Sequence, residues 1–233
     1  YFRSLNQIRQ TLPISLFFFA FKYIVQRSMI KYFTLIFIAC LIHTSAIVYL
    51  PIYFLYRIHF STKHLAKTAL IFFICLPLII ALSPVLIRLT RFSWYLDSRF
   101  EQNFDFIGFT LSFLIMCLHL FLLKRREEEN KKKKITDSEG MKYAGFLTML
   151  SMACCLIYLL TAAIPQVNRV AECYSVIQII SIPNMIKHEK DIRVRIITMV
   201  LCAGILGCKL LYNVYKTQWW YGVLPYHTIF YLK

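Results

Sequence analysis

The sequence lacks the signatures of soluble catalytic domains. It contains no P-loop, G-x-S-x-G, H-E-x-x-H or Rossmann glycine fingerprint. Its 8 cysteines form no Cys-x-x-Cys pair and no Cys/His cluster with metal-ligand spacing, and they lie almost all inside apolar runs. We therefore interpret them as small core residues rather than as zinc ligands or disulfide partners.

Acidic residues are scarce. The chain has 11 Asp and Glu against 27 Lys and Arg, a formal net charge of +16. In a soluble protein this charge would suggest nucleic acid as a partner, but here the basic residues lie mainly in connectors between apolar blocks. That placement is typical of membrane topology and not of a nucleic-acid interface. The chain also begins at Tyr1 without a signal-peptide pattern, so we expect a fragment that lacks its amino-terminal helices.

Hydrophobic residues make up 59% of the 233 positions, more than one soluble core uses. A helix needs about 20 apolar residues to span a bilayer, and the chain offers about six or seven such segments. The sequence predicts an all-α, polytopic transmembrane helix bundle, with residues 1–233 as a single membrane domain in contact with lipid. The predicted helices are residues 5–25, 33–56, 66–87, 104–123, 143–164, 170–186 and 194–215.

The densest basic connector sets the orientation of these helices. Residues 124–142 begin with KRREEENKKKK, and by the positive-inside rule we expect a charged cytoplasmic loop here. Counting helices onward places the basic residues 187–195 on the same side. Residues 88–103 and the carboxyl-terminal tail then lie outside.

The basic connectors near the start of the chain complicate this count. Residues 26–31 and 57–67 cannot both be inside if every segment spans. We prefer an orientation in which the segment that contains Pro77 and Pro84 is re-entrant, because proline removes a helix hydrogen bond and can break a helix. Residues 26–31 are then cytoplasmic, and the polar stretch LNQIRQ, residues 5–10, faces outward.

LNQIRQ leads directly into the apolar run LPISLFFFAF. A helix that began only after a Thr11 cap would be about 22 Å long, too short to span, so LNQIRQ is expected at membrane depth. Asn6, Arg9, Gln10 and Pro13 share one helix face by their spacing. A polar face is costly toward lipid and should look into the protein or a wet cavity. The alternative is that Arg9 snorkels from a helix end to the headgroups.

His43 lies near the middle of the second apolar block, in IACLIHTSAIVYLPIY. If that block is one helix, Ala39, His43 and Ala46 share a face on which small residues let helices approach closely. Two interpretations stay open. His43 is either a buried neutral residue that holds two helices together, or part of a polar site where its ordinary pKa of about 6.5 permits proton transfer.

Three further motifs carry charge or histidine. In TRFSWYLDSRFEQN, the planar Arg91 suits phosphate, while Asp97 and Glu101 either accept a hydroxyl proton or, as the commoner alternative, neutralise nearby arginines. Arg169 in NRVAECY faces an anionic group or pairs locally with the glutamate three residues on. His227 in LPYHTIF touches substrate or belongs to an aromatic belt at the membrane interface.

Taken in order, LNQIRQ, IACLIHTSA, RFSWY, NRVAECY and LPYHTIF resemble the EpsG family. These are multi-spanning bacterial proteins of exopolysaccharide and capsule synthesis, usually regarded as polymerases of the Wzy type. LNQIRQ together with HTSA is the most specific part of the resemblance, which covers essentially the whole chain. Family members are longer, with further helices ahead of LNQIRQ.

The resemblance implies a membrane glycosyltransferase, multi-pass in the bacterial cytoplasmic (inner) membrane. It would polymerise oligosaccharide repeat units, carried on undecaprenyl diphosphate, into exopolysaccharide, capsule or an O-antigen-like glycan at the outer face of that membrane. Other polysaccharide-assembly proteins would be its partners. The resemblance implies no metal and no cofactor, since arginines can neutralise the diphosphate.

The resemblance also suggests roles for individual residues. The departing lipid diphosphate needs fixed cations, and the attacking sugar hydroxyl must lose a proton. His43 is the first candidate for the base or a substrate contact, with Asp97 and Glu101 behind it. The arginines in the matching motifs, all outside in the preferred orientation, are Arg9, Arg91 and Arg169. The remaining candidates for substrate contacts are Asn6, Gln10 and His227.

A transporter or flippase of lipid-linked sugars is the main alternative, because it would also hold diphosphate with intramembrane arginines. Such proteins are expected to show internal repeats and paired broken helices. The sequence shows one broken segment and no repeat. A glycan ligase or acyltransferase is a third interpretation, and a structural membrane subunit is a fourth.

Overall fold

The computed structural model describes residues 2–89, 104–133, 138–164 and 167–216. Every regular element in these ranges is a helix, so the predicted all-α helix bundle is confirmed. Two 3-10 helices, Thr44–Tyr49 and Leu160–Ala162, lie between α-helices. The α-helices are α1 (Phe2–Val25), α2 (Met29–Ile42), α3 (Ile52–Leu55), α4 (Thr62–Arg88), α5 (Phe106–Lys133), α6 (Ser138–Leu159), α7 (Asn168–Ser175), α8 (Gln178–Lys187) and α9 (Ile192–Lys216).

Among the residues that the structure describes, three helical stretches are long and apolar enough to cross a membrane, namely Thr62–Val85, Phe106–Lys132 and Glu139–Ala162. The first, in α4, is almost entirely exposed, whereas most of the third is buried inside the bundle. Large apolar side chains such as Leu70 and Ile74 cover the surface of α4. A contiguous apolar surface of this kind is suited to lipid and not to water. Length and surface together indicate a membrane protein.

Pro77 and Pro84 both lie inside α4, and the helix continues through them. The re-entrant turn that we predicted at these prolines is therefore wrong. Pro84 has no N–H for the carbonyl of Ile80, four residues earlier. The Ser83 hydroxyl donates to that same carbonyl at 2.9 Å, which replaces the missing hydrogen bond.

The interruption lies instead in the second apolar block, which we predicted as one helix over residues 33–56. α2 ends at His43, whose backbone is extended (φ −149°, ψ 119°). The chain continues as the 3-10 helix Thr44–Tyr49 and the short α3. The prediction that Ala39, His43 and Ala46 share a helix face is therefore wrong.

After His43 the chain turns back along α2. The hydroxyl of Tyr32, near the start of α2, donates to the Tyr49 carbonyl at 2.7 Å. The ring of Phe33 lies 5.8 Å from the ring of Phe54 in α3. Residues 29–56 therefore form a hairpin that enters and leaves at the same end of the bundle, with His43 at its tip.

α1 and α2 are antiparallel neighbours joined by a tight turn. Arg27 has a left-handed backbone (φ 56°). The Ser28 N–H donates to the Tyr23 carbonyl at 2.9 Å, and the Arg27 N–H donates to the Ile24 carbonyl at 3.1 Å. This pair of bonds is the Schellman ending, in which the left-handed position is usually glycine.

Four basic connectors meet at one end of the bundle, termed the basic end: residues 26–31, 57–67, 124–142 and 187–195. The Arg27 guanidinium lies 2.9 Å from Glu139 Oε1 at the start of α6. The N–H and hydroxyl of Thr62, at the start of α4, donate to the two carboxylate oxygens of Glu127 at 2.8 and 2.7 Å. Residues 26–31 and 57–67, which the sequence-based count could not place on the same side, therefore both lie beside the charged segment 124–142.

The fourth connector is fixed by a more buried ion pair. Arg125 Nε lies 3.1 Å from Glu189 Oε2, and the Glu189 side chain is 6% exposed. The charged segment 124–142 is itself largely helical, because α5 continues to Lys133 and α6 begins at Ser138. Its cytoplasmic location remains a prediction.

The other end of the bundle, termed the opposite end, is where α6 finishes and α5 begins. The Asp105 N–H, just before α5, donates to the Thr161 hydroxyl at 3.2 Å. α1 begins at this end, since its last residue, Val25, adjoins the basic connector. The predicted helix 170–186 runs from here to the basic end as two helices, α7 and α8, separated by a tight turn at Val176 and Ile177.

Candidate functional site

The tip of the hairpin is the centre of the candidate site. His43 Nδ1 accepts the N–H of Ser45 at 3.2 Å, and the Ser45 hydroxyl lies 2.7 Å from the same nitrogen. His43 thus caps the 3-10 helix with which the returning arm of the hairpin, residues 44–56, begins. A backbone N–H can only donate, so Nδ1 is the acceptor and neutral His43 carries its hydrogen on Nε2.

This tautomer bears on the two roles proposed for His43. A general base needs a lone pair that can receive the proton of the attacking hydroxyl. The Nδ1 lone pair is already directed at Ser45, while Nε2–H is a donor. The geometry therefore argues against the role of base, and the substrate contact stays a prediction.

Tyrosine hydroxyls satisfy the backbone of the hairpin where its regular helix is lost. Tyr32 donates to the Tyr49 carbonyl at 2.7 Å, and Tyr174 of α7 donates to the Val48 carbonyl at 3.0 Å. Tyr49 in turn donates to the Cys173 carbonyl over a longer 3.5 Å. Irregular backbone at membrane depth is tolerated only where protein groups pair with it. Sequence reasoning missed these tyrosines, although their position beside HTSA was visible.

The same contacts bring NRVAECY to the hairpin. Three residues of α7 are buried against α6 and the returning arm of the hairpin, namely Ala171, Cys173 and Tyr174. Arg169 is half-buried and Glu172 is exposed on the remaining surface of this short helix. Arg169 therefore lies in the helix that contacts the hairpin through Tyr174, at the opposite end of the bundle.

LNQIRQ is the third motif to reach this region. α1 is continuous from Phe2 to Val25, so it has no cap at Thr11, and its 24 residues span about 36 Å. Pro13 and Phe17 are buried, and Phe17 stacks on Tyr49 with ring centroids 3.9 Å apart. Pro13 and Phe17 thus look into the protein, while the same orientation for the polar residues of LNQIRQ stays a prediction.

The candidate residues of LNQIRQ continue that face by helical spacing. They are Asn6, Arg9 and Gln10, and the structure describes only their helical backbone. α2 rises about 21 Å over its 14 residues before His43, and the antiparallel α1 covers the same rise between Val25 and about Leu12. The backbone of Arg9 and Gln10 therefore lies within about one helical turn of the level of His43.

A family model described as EpsG family matches residues 1–228. The chain belongs to the EpsG family. The resemblance inferred from the motifs is therefore confirmed, and it associates the chain with exopolysaccharide polymerases at the level of the family. No match was found among curated proteins or among solved structures.

Two EpsG-family motifs lie beyond what the structure describes. Arg91, Asp97 and Glu101, around RFSWY, fall outside the described residues, as does His227 in LPYHTIF. Their proposed roles stay predictions.

Carboxylates are nevertheless present at the opposite end. Asp105 Oδ1 accepts the Gly108 N–H at 3.0 Å and caps α5, which fits the preference of Asp for this position. Glu172 of α7 is exposed at the same end. Sequence reasoning missed Asp105, although an aspartate just before an apolar helix is a recognisable cap. Within the described ranges, no three His, Cys, Asp or Glu side chains are grouped closely enough to hold a metal ion.

Proposed function

We propose that this EpsG-family chain polymerises oligosaccharide repeat units carried on a lipid diphosphate, at the outer face of the bacterial cytoplasmic membrane. One observation carries the proposal: the backbone of LNQIRQ, the HTSA tip and the NRVAECY helix converge at the end away from all four basic connectors. By the positive-inside rule the basic end is cytoplasmic. The three motifs then face the compartment in which lipid-linked units are joined.

The proposed reaction breaks the bond between the first sugar of the growing glycan and its diphosphate, and forms a glycosidic bond to a hydroxyl of the next unit. The lipid diphosphate leaves with the bonding electrons, and the hydroxyl gives its proton to a base. Arg9 and Arg169, with Arg91, would stabilise the diphosphate charge. Nε2–H of His43 would donate to a substrate oxygen, and Asp97 or Glu101 would accept the proton.

Substituting the motif arginines tests this proposal in the producing bacterium. Arg9→Lys and Arg169→Lys keep the charge but lose the planar guanidinium that pairs with phosphate. We expect both to abolish long polymer while lipid-linked single units remain on the outer leaflet. Arg57→Lys is the matched control, since Arg57 is exposed at the basic end. Persistence of long polymer in both motif variants would refute the assignment.

Two substitutions of His43 separate its capping role from its proposed substrate contact. Asn supplies an oxygen near the position of Nδ1 and is a good cap, whereas the Gln amide reaches nearer to the position of Nε2. We expect His43→Asn to fold but to lose about 100-fold in polymerisation rate, as on loss of one transition-state donor. His43→Gln should retain more activity and less thermal stability. The reverse order would show that only the cap matters.

A transporter of lipid-linked sugars is the second candidate, and one observation favours it. In the described part of the chain two apolar segments are interrupted, the hairpin and α7–α8, and they contact each other through the hydrogen bond from Tyr174 to the Val48 carbonyl. Paired broken helices are a feature of transporter sites. The arginine variants distinguish the two functions, because failed transport leaves single units on the cytoplasmic leaflet.

A further inference from the structure

A second polar cluster lies inside the apolar helices, away from the hairpin. His119 of α5 is 2% exposed, and its Nδ1 lies 3.0 Å from the Ile115 carbonyl. Because a carbonyl only accepts, Nδ1 carries the hydrogen of the neutral ring, and Nε2 is left as an acceptor. Nε2 has no hydrogen-bond partner among the described residues.

The facing helix supplies more polar atoms of the same kind. The backbone of Ser181 in α8 lies beside the His119 ring. The Ser181 hydroxyl and, one turn earlier, the Gln178 amide nitrogen are also buried without a partner in the described part of the chain. Buried polar groups are almost always hydrogen-bonded, to protein or to ordered water. Several such atoms at one interface are the setting in which buried water is found.

Two adjoining cavities lead from His119 toward the basic end. His119 lines the first together with Leu122, Met185, Thr198 and Cys202. The second cavity shares Leu122 and Met185 and opens among the charged residues of the basic end, which are Arg126, Glu129, His188, Glu189 and Lys190. Arg126 lies seven positions after His119 in α5, which corresponds to a rise of about 10 Å along the helix.

We propose that the cavity around His119 is a water-binding site through which this histidine exchanges protons with the basic end. Water reaches it past Leu122 and Met185 and donates to Nε2 of His119. The titratable and charged groups that line the route are the Cys202 thiol of α9, Arg126 and Glu129 of α5, and His188, Glu189 and Lys190 after α8. The proposal is independent of the polymerase assignment, which rests on the opposite end.

The native cysteines provide the test, without any substitution. Cys202 lines the cavity, whereas Cys154 is buried in the main core among α1, α2 and α7. A small, charged methanethiosulfonate reagent needs water to reach a thiol. Added to inside-out membrane vesicles, it should modify Cys202 at least about tenfold faster than Cys154, as read by peptide mass spectrometry. Equal or absent modification of Cys202 in vesicles of either orientation would overturn the proposal.

A substitution and its control make the result specific to His119. His119→Phe removes the acceptor and fills the cavity, so the rate of Cys202 modification should fall about tenfold. His59→Phe is the control, because His59 is exposed near the basic end, and it should leave the rate unchanged.

A measurement on the unsubstituted chain keeps the proposal testable if His119→Phe does not fold. In nitrogen-15 NMR spectra, the buried histidine should show the Nδ1–H tautomer and receive magnetisation from water. Absence of that transfer would overturn the proposal as well.

Discussion

Gly145 of α6 lies where the chain leaving the hairpin crosses that helix, and its replacement by alanine tests this crossing. A Cβ at this position would lie 3.0 Å from the carbonyl carbon of Phe60, 3.3 Å from its Cβ, and closer still to its carbonyl oxygen. Carbon atoms in good contact are about 3.5 Å apart or more. Because the crowded atoms are mainly backbone, no change of side-chain rotamer relieves the overlap.

The magnitude follows from two opposing effects. Overpacking of this kind costs about 1–3 kcal/mol, and contact with backbone points to the upper half of that range. Alanine in place of glycine in a helix returns about 1 kcal/mol. We therefore expect Gly145→Ala to lower the free energy of unfolding by about 1–2 kcal/mol. For a chain of this size the melting temperature should fall by about 2–8 °C.

Gly204→Ala in α9 is the matched control, because nothing lies within 4 Å of a Cβ built there. It should gain only the higher helix propensity of alanine, without overpacking, and should raise the melting temperature by about 2–4 °C. Both variants are measured in detergent by thermal unfolding, followed through the exposure of buried cysteines to a fluorescent thiol dye. If Gly145→Ala melts as high as Gly204→Ala, Phe60 does not cross α6 there, and the exit of the hairpin is misplaced.

Two further predictions use the same assay. Arg27→Gly should melt about 2–4 °C above Arg27→Ala, because both lose the exposed ion pair with Glu139 but only glycine relieves the left-handed backbone; equal melting temperatures would argue against strain at this turn. Tyr174→Phe should cost about 1–2 kcal/mol, because it leaves the Val48 carbonyl unpaired inside the protein. An unchanged melting temperature would mean that this hydroxyl does not hold the hairpin.

Sequence reasoning placed the long helices well because their evidence is local. α4, α5 and α6 each contain an apolar stretch long enough to cross a membrane, which local composition alone reveals. It failed at the hairpin because residues 33–56 satisfy the same length rule. The turn at His43 depends on Ser45, Tyr32 and Tyr174, which pair with backbone from other parts of the fold, and no local propensity encodes those contacts.

The sequence did contain a sign of the hairpin. Basic connectors on both sides of residues 33–56 mean, under the positive-inside rule, that the segment between them starts and ends on one side. We assigned the interruption to the prolines of the next segment instead, because proline is the usual helix breaker. In α4 the Ser83 hydroxyl compensates for Pro84, so charge was a better guide here than helix propensity.

The two polar regions allow the polymerase and transporter hypotheses to be distinguished. A polymerase needs only the opposite end, where the motifs of the family converge, whereas a transporter needs a path through the bundle. The cavity from the basic end reaches His119, and Cys154 lies farther along, toward the hairpin, where it donates to the Ala171 carbonyl of α7. If the charged reagent added at the basic end modified Cys154 as fast as Cys202, water would extend to the candidate site, and transport would become the better hypothesis. Modification that stops at Cys202 leaves the hairpin accessible from the opposite end alone, as polymerisation there requires.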